Sequence, residues 1–425
     1  MKQVLICVGL FLLQLYFTFS GVLIFGKFLN PIFLFATSMA IPAYLIWLSL
    51  GHSSPAAKQN VIPWWRKGLW AGSGLLIAFV AYEEFRKACV KFSEPGQWSD
   101  VLPQLRTQFE RFSKGEFPYD VVELAGYSPM PVYMPLHWLP IGLAAPLHLD
   151  FRLIGFGFFV LAVALYGWYL AAQPGATLAR IFVLLLPTFP LWAFLRWGEL
   201  DLMVSYEMVI GAYYLVLATG LFARQLWLVA IGIILCVLSR YTLIFWLPLF
   251  AIILLYEKGW KKSFWVWGAL AASILLIYII PFYLEDPTIF SRGMSYYTGA
   301  TVAEWQGYGD PPISYSMESG IYFAAHMKAI FSGDMPHRVH SARLVQGTIL
   351  ILLLVSGWIC YRRWRERIDF YTFSLIGLYL FVSAYYFFGP LTYRYYYFPL
   401  LVLSSVLCGK IILHSIQSAD SKGKE

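Results

Sequence analysis

Residues 4–25 read VLICVGLFLLQLYFTFSGVLIF, an unbroken apolar run with no charged side chain. As a helix rising ~1.5 Å per residue, such a run crosses the ~30 Å hydrocarbon layer of a bilayer. It is too long for the apolar region of a secretion signal and has no small-residue cleavage site, so it reads as an anchor. Runs of the same kind recur at 31–50, 68–85, 131–148, 153–172, 180–196, 203–222, 226–239, 241–257, 264–283, 343–361, 370–388 and 393–414. The two at 226–239 and 241–257 are short for a full span.

Composition gives the same answer. Of 425 residues, 60% are apolar, 19% are aromatic and only 13% are charged. The mean hydropathy is +0.65. Soluble domains carry roughly 25% charged residues. No compact soluble shape keeps this much apolar surface from water, and a disordered chain keeps even less. The predicted fold class is an all-α polytopic membrane protein with about 11–13 transmembrane helices. The net charge of +8 does not point to nucleic acid, because the bases lie mainly in short loops between apolar runs. The five cysteines form no CxxC pair or other metal-ligand spacing.

Orientation follows from those bases. Segment 51–67 carries Lys58, Arg66 and Lys67 without an acid, segment 257–262 carries three lysines, and segment 362–369 carries four arginines. Placing all three inside puts the polar segments 83–130 and 285–342 outside. The chain then divides into two N-terminal spans (1–67), a central membrane module (68–284), a second outer segment (285–342), and C-terminal spans with a short tail (343–425). Thirteen runs cannot leave both termini inside, so one run is expected to be re-entrant. The first suspect is 127–148, interrupted by Pro129, Pro131, Pro135 and Pro140.

The first outer segment reads WSDVLPQLRTQFERFSKGEFPYDVVELAGYSPMPVY over 98–133. Val101, Leu102, Leu105, Phe109 and Phe112 share one helical stripe, which predicts an amphipathic helix on the outer membrane surface. Gly115 can end that helix. Asp100 stands at its start, either as an N-cap or as a carboxylate facing a cavity; one side chain can serve both ends.

These residues resemble the GT-C membrane glycosyltransferases, especially the mannosyltransferases of the family 87 type that use polyprenyl-phosphate-mannose. The resemblance rests on Asp100, on Gly115-Glu-Phe-Pro118-Tyr119, and on Tyr127-Ser-Pro129-Met-Pro131. It continues in Arg196-Trp-Gly198-Glu199-Leu200-Asp201 and in Ser239-Arg240-Tyr241 before Leu247-Pro248-Leu249. It covers about 100–250, with Glu199 standing where the family has Gln. It implies transfer of a sugar, foremost mannose, from a polyprenyl-phosphate donor to a lipid or glycan acceptor, with inversion, on the outer face of a bacterial cytoplasmic membrane. Asp100 is then the general base. Arg240, Arg196 and Arg394 are the candidates for the donor phosphate, since a guanidinium binds phosphate through two parallel bonds. Tyr119, Tyr127, Tyr133, Glu199 and Asp201 are placed on the substrate cavity. If the role of the two acids is structural, they cap the span 203–222 or pair with Arg196, and Glu207 is a functional candidate as an acid inside a span.

No cofactor and no metal are expected. His337 and His340 share a helical face but lack the acid that a zinc motif would supply. No glycine-rich phosphate loop is present, so a nucleotide-sugar donor is not expected. Segment 285–342 is expected to cap the cavity. A transporter or lipid flippase is the competing class; it would show repeated halves with matching broken helices, and no such repeat is seen.

Overall fold

The computed structural model describes residues 2–51, 62–93, 96, 98–124 and 126–422, with side chains to 416. Lys58 and Glu94 lie outside the described residues. The helices in chain order are α1 (Lys2–Phe19), α2 (Gly21–Gly51), α3 (Trp64–Phe79), α4 (Tyr82–Lys91), α5 (Val101–Ser113), α6 (Pro135–Trp138), α7 (Ala144–Leu147), α8 (Phe151–Leu170), α9 (Thr177–Leu185) and α10 (Phe189–Trp197). They continue as α11 (Glu199–Met203), α12 (Glu207–Phe222), α13 (Leu226–Val237), α14 (Leu247–Ile274), α15 (Ile289–Gln306), α16 (Tyr315–Glu318), α17 (Ala324–Ile330), α18 (Met335–Trp364), α19 (Phe370–Phe387) and α20 (Tyr397–Lys422).

The protein is an all-helical, multi-pass membrane protein. Among the described residues, 8 helical segments are long and apolar enough to span a bilayer. This is fewer than the 11–13 expected, for reasons of length. The helices α12 and α13 are apolar but shorter than a full span, and α3 has only 16 residues. The run 131–148 forms no span. It breaks into α6, a 3-10 turn over Leu139–Leu143 and α7, because each proline removes a backbone donor and clashes with the preceding turn. The segment Leu247–Tyr283 is 37 residues long, too long for one crossing. It is interrupted at Gly259, whose φ of 75° suits a residue without a Cβ. Its last part, Leu275–Tyr283, winds as a π-helix around Pro281.

The centre of the bundle is α12, buried at every position except Val216. It packs against α8, α13 and α20. Two glycines allow the approach. A Cβ at Gly211 would lie 2.3 Å from the Phe398 ring, and one at Gly232 would lie 2.5 Å from the Leu217 Cα. Small residues at such crossings let membrane helices pack by dispersion where water gives no driving force.

The two N-terminal helices are part of the same core. Gln14 of α1 donates to Ser38 of α2 at 2.9 Å and to the Tyr379 hydroxyl of α19 at 3.0 Å. Asn30 donates to the Gly320 carbonyl at 2.7 Å. By contrast α18 faces outward, with Leu344, Ile351, Leu352, Val355 and Ile359 all exposed, as a lipid-facing helix would be.

Candidate functional site

The site is built where the broken run meets α5. The backbone N–H of Leu136 donates to the Leu238 carbonyl at 2.8 Å, and the Tyr213 hydroxyl donates to the Leu136 carbonyl at 3.1 Å. These bonds hold non-spanning backbone against α12 and the end of α13, inside protein where its polar groups are satisfied. Helix α5 lies across this segment. Phe112 packs against Trp138 with ring centroids 5.4 Å apart. Phe109 sits so close to Gly142 that a Cβ there would be 2.4 Å away. The apolar stripe of α5 therefore covers protein. The expected amphipathic helix is present, but its stripe does not have to rest on lipid. Gly115, with φ of 75°, follows α5. Arg111 then donates to the carbonyls of Asp120 and Val121 at 2.6 and 2.7 Å.

Asp100 is not a capping residue. Its backbone is already helical and its carboxylate bonds none of the first amides of α5. The Ser99 hydroxyl takes the Val101 N–H instead, at 3.2 Å. The Asp100 carboxylate turns to its own backbone N–H and to Gln104, one turn along. Burial pushes the Asp100 carboxyl above its ordinary value, and hydrogen bonds from its own backbone N–H and from Gln104 offset part of that rise. Asp100, Gln104 and Gln108 thus form a second stripe on α5, polar yet turned inward. Gln104 and Gln108 are buried. The Gln108 amide reaches the Tyr133 carbonyl at 3.5 Å, and that carbonyl also accepts the Tyr119 hydroxyl at 3.0 Å. Around Asp100 stand phenols from three separate segments: Tyr127 and Tyr133, then Tyr296 and Tyr308, then Tyr393. Tyr127 is pushed up to about 12, by burial first and by the Asp100 charge second.

Tyr133 also lines a cavity of about 330 Å³. Its walls come from the α13–α14 turn (Arg240, Tyr241, Thr242), α15 (Met294, Tyr297), α18 (Arg343, Gln346, Gly347, Leu350) and α19 with its exit (Tyr385, Tyr386, Tyr396). Arg240 is held against Glu207 at the start of α12 by two hydrogen bonds, one of them at 2.8 Å. Glu207 is 1% exposed and Arg240 is 12% exposed. The guanidinium also lies over the Tyr396 ring, 4.6 Å from its centroid, in cation–π geometry. Arg343 donates to the Thr298 hydroxyl at 2.7 Å. Among the described residues no carboxylate lies within ion-pair distance of Arg343.

The residues singled out in the sequence separate into groups. Arg240 and Tyr133 line the cavity, and Asp100 lies beside Tyr133. Tyr127 does not line the cavity and is 48% exposed. Tyr119 is elsewhere: it is buried among Trp138, Tyr278 and Phe282, and its hydroxyl is spent on fixing Tyr133. Arg196 is exposed on α10 and does not line the cavity. Arg394 is bound to Asp201 at 3.1 Å, and Glu199 is bound to Lys91. Of the two structural alternatives for these acids, the pairing with Arg196 is replaced by two other partners. The reason is the short α11, which sets Glu199 toward α4 and Asp201 toward the Arg394 turn. Burial raises the Asp201 carboxyl despite the neighbouring Arg394.

Gln104, Gln108, Tyr297, Arg343 and Gln346 were not singled out in the sequence. Arg343 had a usable signal, since it opens an apolar run just as Arg240 ends one. The glutamines had none: alternating with apolar positions on α5, they read as its solvated face. From segment 285–342, α15 contributes Met294 and Tyr297 to the cavity wall. Comparison of the chain with family models, curated proteins and solved structures returned no match.

Proposed function

We propose that the protein is a membrane glycosyltransferase of the GT-C type, which moves a sugar, foremost mannose, from a polyprenyl-phosphate donor to a hydroxyl of a lipid or glycan acceptor. One observation carries this reading: a half-buried carboxylate, Asp100, acts electrostatically on Tyr133, and Tyr133 also lines a cavity with arginines and tyrosines in its wall. Sugar transfer from a lipid phosphate needs those two parts side by side.

The donor phosphate would sit in the cavity, facing Arg240 and Arg343, with the phenols of Tyr297 and Tyr385 as further donors. The acceptor hydroxyl would lie on the far side of Tyr133, against Asp100. The acceptor oxygen attacks the anomeric carbon while Asp100 takes its proton. The bond from that carbon to the phosphate oxygen breaks, and the lipid phosphate leaves with the electron pair. Attack from the face opposite the phosphate inverts the anomeric centre. Burial raises the Asp100 carboxyl above its ordinary value, and a carboxylate raised by burial is a stronger base than a solvated one, which suits this task. The placement of bases in segments 51–67, 257–262 and 362–369 supports an outward-facing site, and the cytoplasmic membrane is what the family resemblance implies.

The test is incubation of the purified protein with polyprenyl-phosphate-mannose and a membrane lipid extract, with products read by mass spectrometry. A mannosylated product and free polyprenyl phosphate are expected. An intact donor after prolonged incubation would sink the reading, and counterflow of a labelled solute in proteoliposomes would then favour a transporter.

A further inference from the structure

Two cavities lie on either side of one thin wall. The first is the cavity of about 330 Å³ that Tyr133 lines. The second, of about 810 Å³, is bounded by α5, α7 and the start of α8, with Arg106, Glu110, Asp150 and Phe151 among its lining residues. It opens at the protein surface, where Arg106 and Glu110 are 67% and 49% exposed. The wall is a stack of rings. Phe151 meets Tyr206 with centroids 6.1 Å apart. Tyr206 lies nearly parallel to His137 at 6.3 Å, and His137 meets Tyr133 edge-on at 5.0 Å. The Asp150 charge acts on Tyr206 from one side, and the Arg240 charge acts on His137 from the other.

The two inner rings of this wall keep their polar atoms unspent. Among the described residues, neither Nδ1 nor Nε2 of His137 has a hydrogen-bond partner, and the Tyr206 hydroxyl has none. Yet His137 is fully buried and Tyr206 is 1% exposed. Gln108 adds to the pattern. It too is fully buried, and its side-chain oxygen is unpartnered while its amide reaches the Tyr133 carbonyl. A neutral imidazole presents one donor and one acceptor, and a phenol can act as both. Such groups are costly to bury unmatched. A phenylalanine would fill the place of His137 between two rings without that cost, so packing alone does not account for a histidine there. Among the described residues no three metal-binding side chains converge, so the donor set does not fit a metal ion. It does fit water, which both donates and accepts and takes roughly two to four polar partners when buried.

We infer that His137 and Tyr206 bind internal water within this wall, and that this water joins the open cavity at Asp150 to the cavity at Tyr133. Water between the rings satisfies the imidazole nitrogens and the phenol together. It also gives solvent a route to Tyr133 through protein, apart from any route along the bilayer. The inference does not depend on sugar transfer, and its failure would leave the transferase reading untouched.

Radical footprinting tests it directly. Full-length protein in nanodiscs would be exposed to X-ray pulses that make hydroxyl radicals from water in place, and oxidised side chains would be read by mass spectrometry. A buried ring is labelled quickly only where water is bound beside it. Tyr213 and Tyr397 are the controls: they are 2% and 0% exposed, and their hydroxyls are already bonded to the carbonyls of Leu136 and Ile321. In the wild type, His137 and Tyr206 should be oxidised several-fold faster than these controls. His137→Phe keeps a ring and removes both nitrogens, so Tyr206 should fall to the rate of Tyr213. Tyr206→Phe removes only the hydroxyl, and His137 should then be labelled more slowly; this variant carries the test if His137→Phe does not fold. Labelling of His137 and Tyr206 in the wild type no faster than the controls would show a dry wall and overturn the inference. Unchanged labelling of the remaining ring in either variant would remove the substituted residue as a water ligand.

Discussion

Two groups of charged residues lie at span ends that look alike in the sequence, yet the structure gives them different surroundings. Arg240 and Arg394 each end or open an apolar run and each stand beside tyrosines. Arg240 is locked to a fully buried Glu207 and lines the cavity. Arg394 is paired with Asp201 away from the cavity wall, with both side chains about a quarter exposed. Lys91 and Glu199 form a still more open pair beside it. The difference lies in what surrounds each ion pair. Among the tyrosines of a cavity an arginine can meet a ligand, whereas at the rim it joins helices that would otherwise meet only through short turns.

That comparison can be broken by substitution, starting with Asp100. Asp100→Asn keeps the shape and the Gln104 contact but cannot take a proton, so transfer should fall by about a hundredfold or more. Thermal unfolding in detergent should stay close to wild type. A smaller loss in turnover would mean that Asp100 is not the base.

Glu207→Gln should come next, and its effect should be on stability. It leaves Arg240 charged and half-partnered in a buried place, which costs about 3–5 kcal/mol in comparable pairs. A large drop in unfolding temperature is expected, partly recovered by Glu207→Leu combined with Arg240→Leu. Equal stability of all these variants would show that the pair is wetter than its burial indicates.

Gln104→Leu should leave the fold intact and move the pH profile of transfer. Burial raises Asp100 and the Gln104 bond lowers it, so losing the bond raises the carboxyl further. The base is then protonated at a higher pH, and the acid limb of the profile should shift upward. A shift downward, or none, would remove Gln104 as the partner that tunes Asp100.

The smallest effects belong to the rim. Lys91→Gln should change stability by no more than about 1 kcal/mol, as exposed pairs do, and should leave turnover unchanged. Asp201→Asn should cost somewhat more, because its partner Arg394 is less exposed. A collapse of turnover from either rim variant would erase the distinction between the two groups.

Much of the architecture was legible because bilayers constrain sequence so strongly. Long apolar runs announce themselves by length, and Pro131, Pro135 and Pro140 announced that 131–148 would break. The helix α5 and its end at Gly115 were also readable. What was not readable was partnership across the bundle. Nothing local says that Glu199 meets Lys91, that Asp201 meets Arg394, or that Glu207 meets Arg240 from 33 positions away. The same limit hid Arg343, whose partner is Thr298 on another helix, and the inward-facing Gln104 and Gln108. Tyr119 shows the converse: a residue in a promising motif whose hydroxyl turns out to hold the backbone of Tyr133.

The central claim is that Asp100 and the arginine cavity form one transfer site. The most direct test compares wild type and Asp100→Asn in the same nanodiscs, supplied with polyprenyl-phosphate-mannose and lipid acceptors, by mass spectrometry. The account requires a mannosylated product from the wild type and at least about a hundredfold less from the variant, with donor binding unchanged. Donor consumption at the same rate in both proteins, or in neither, would contradict it.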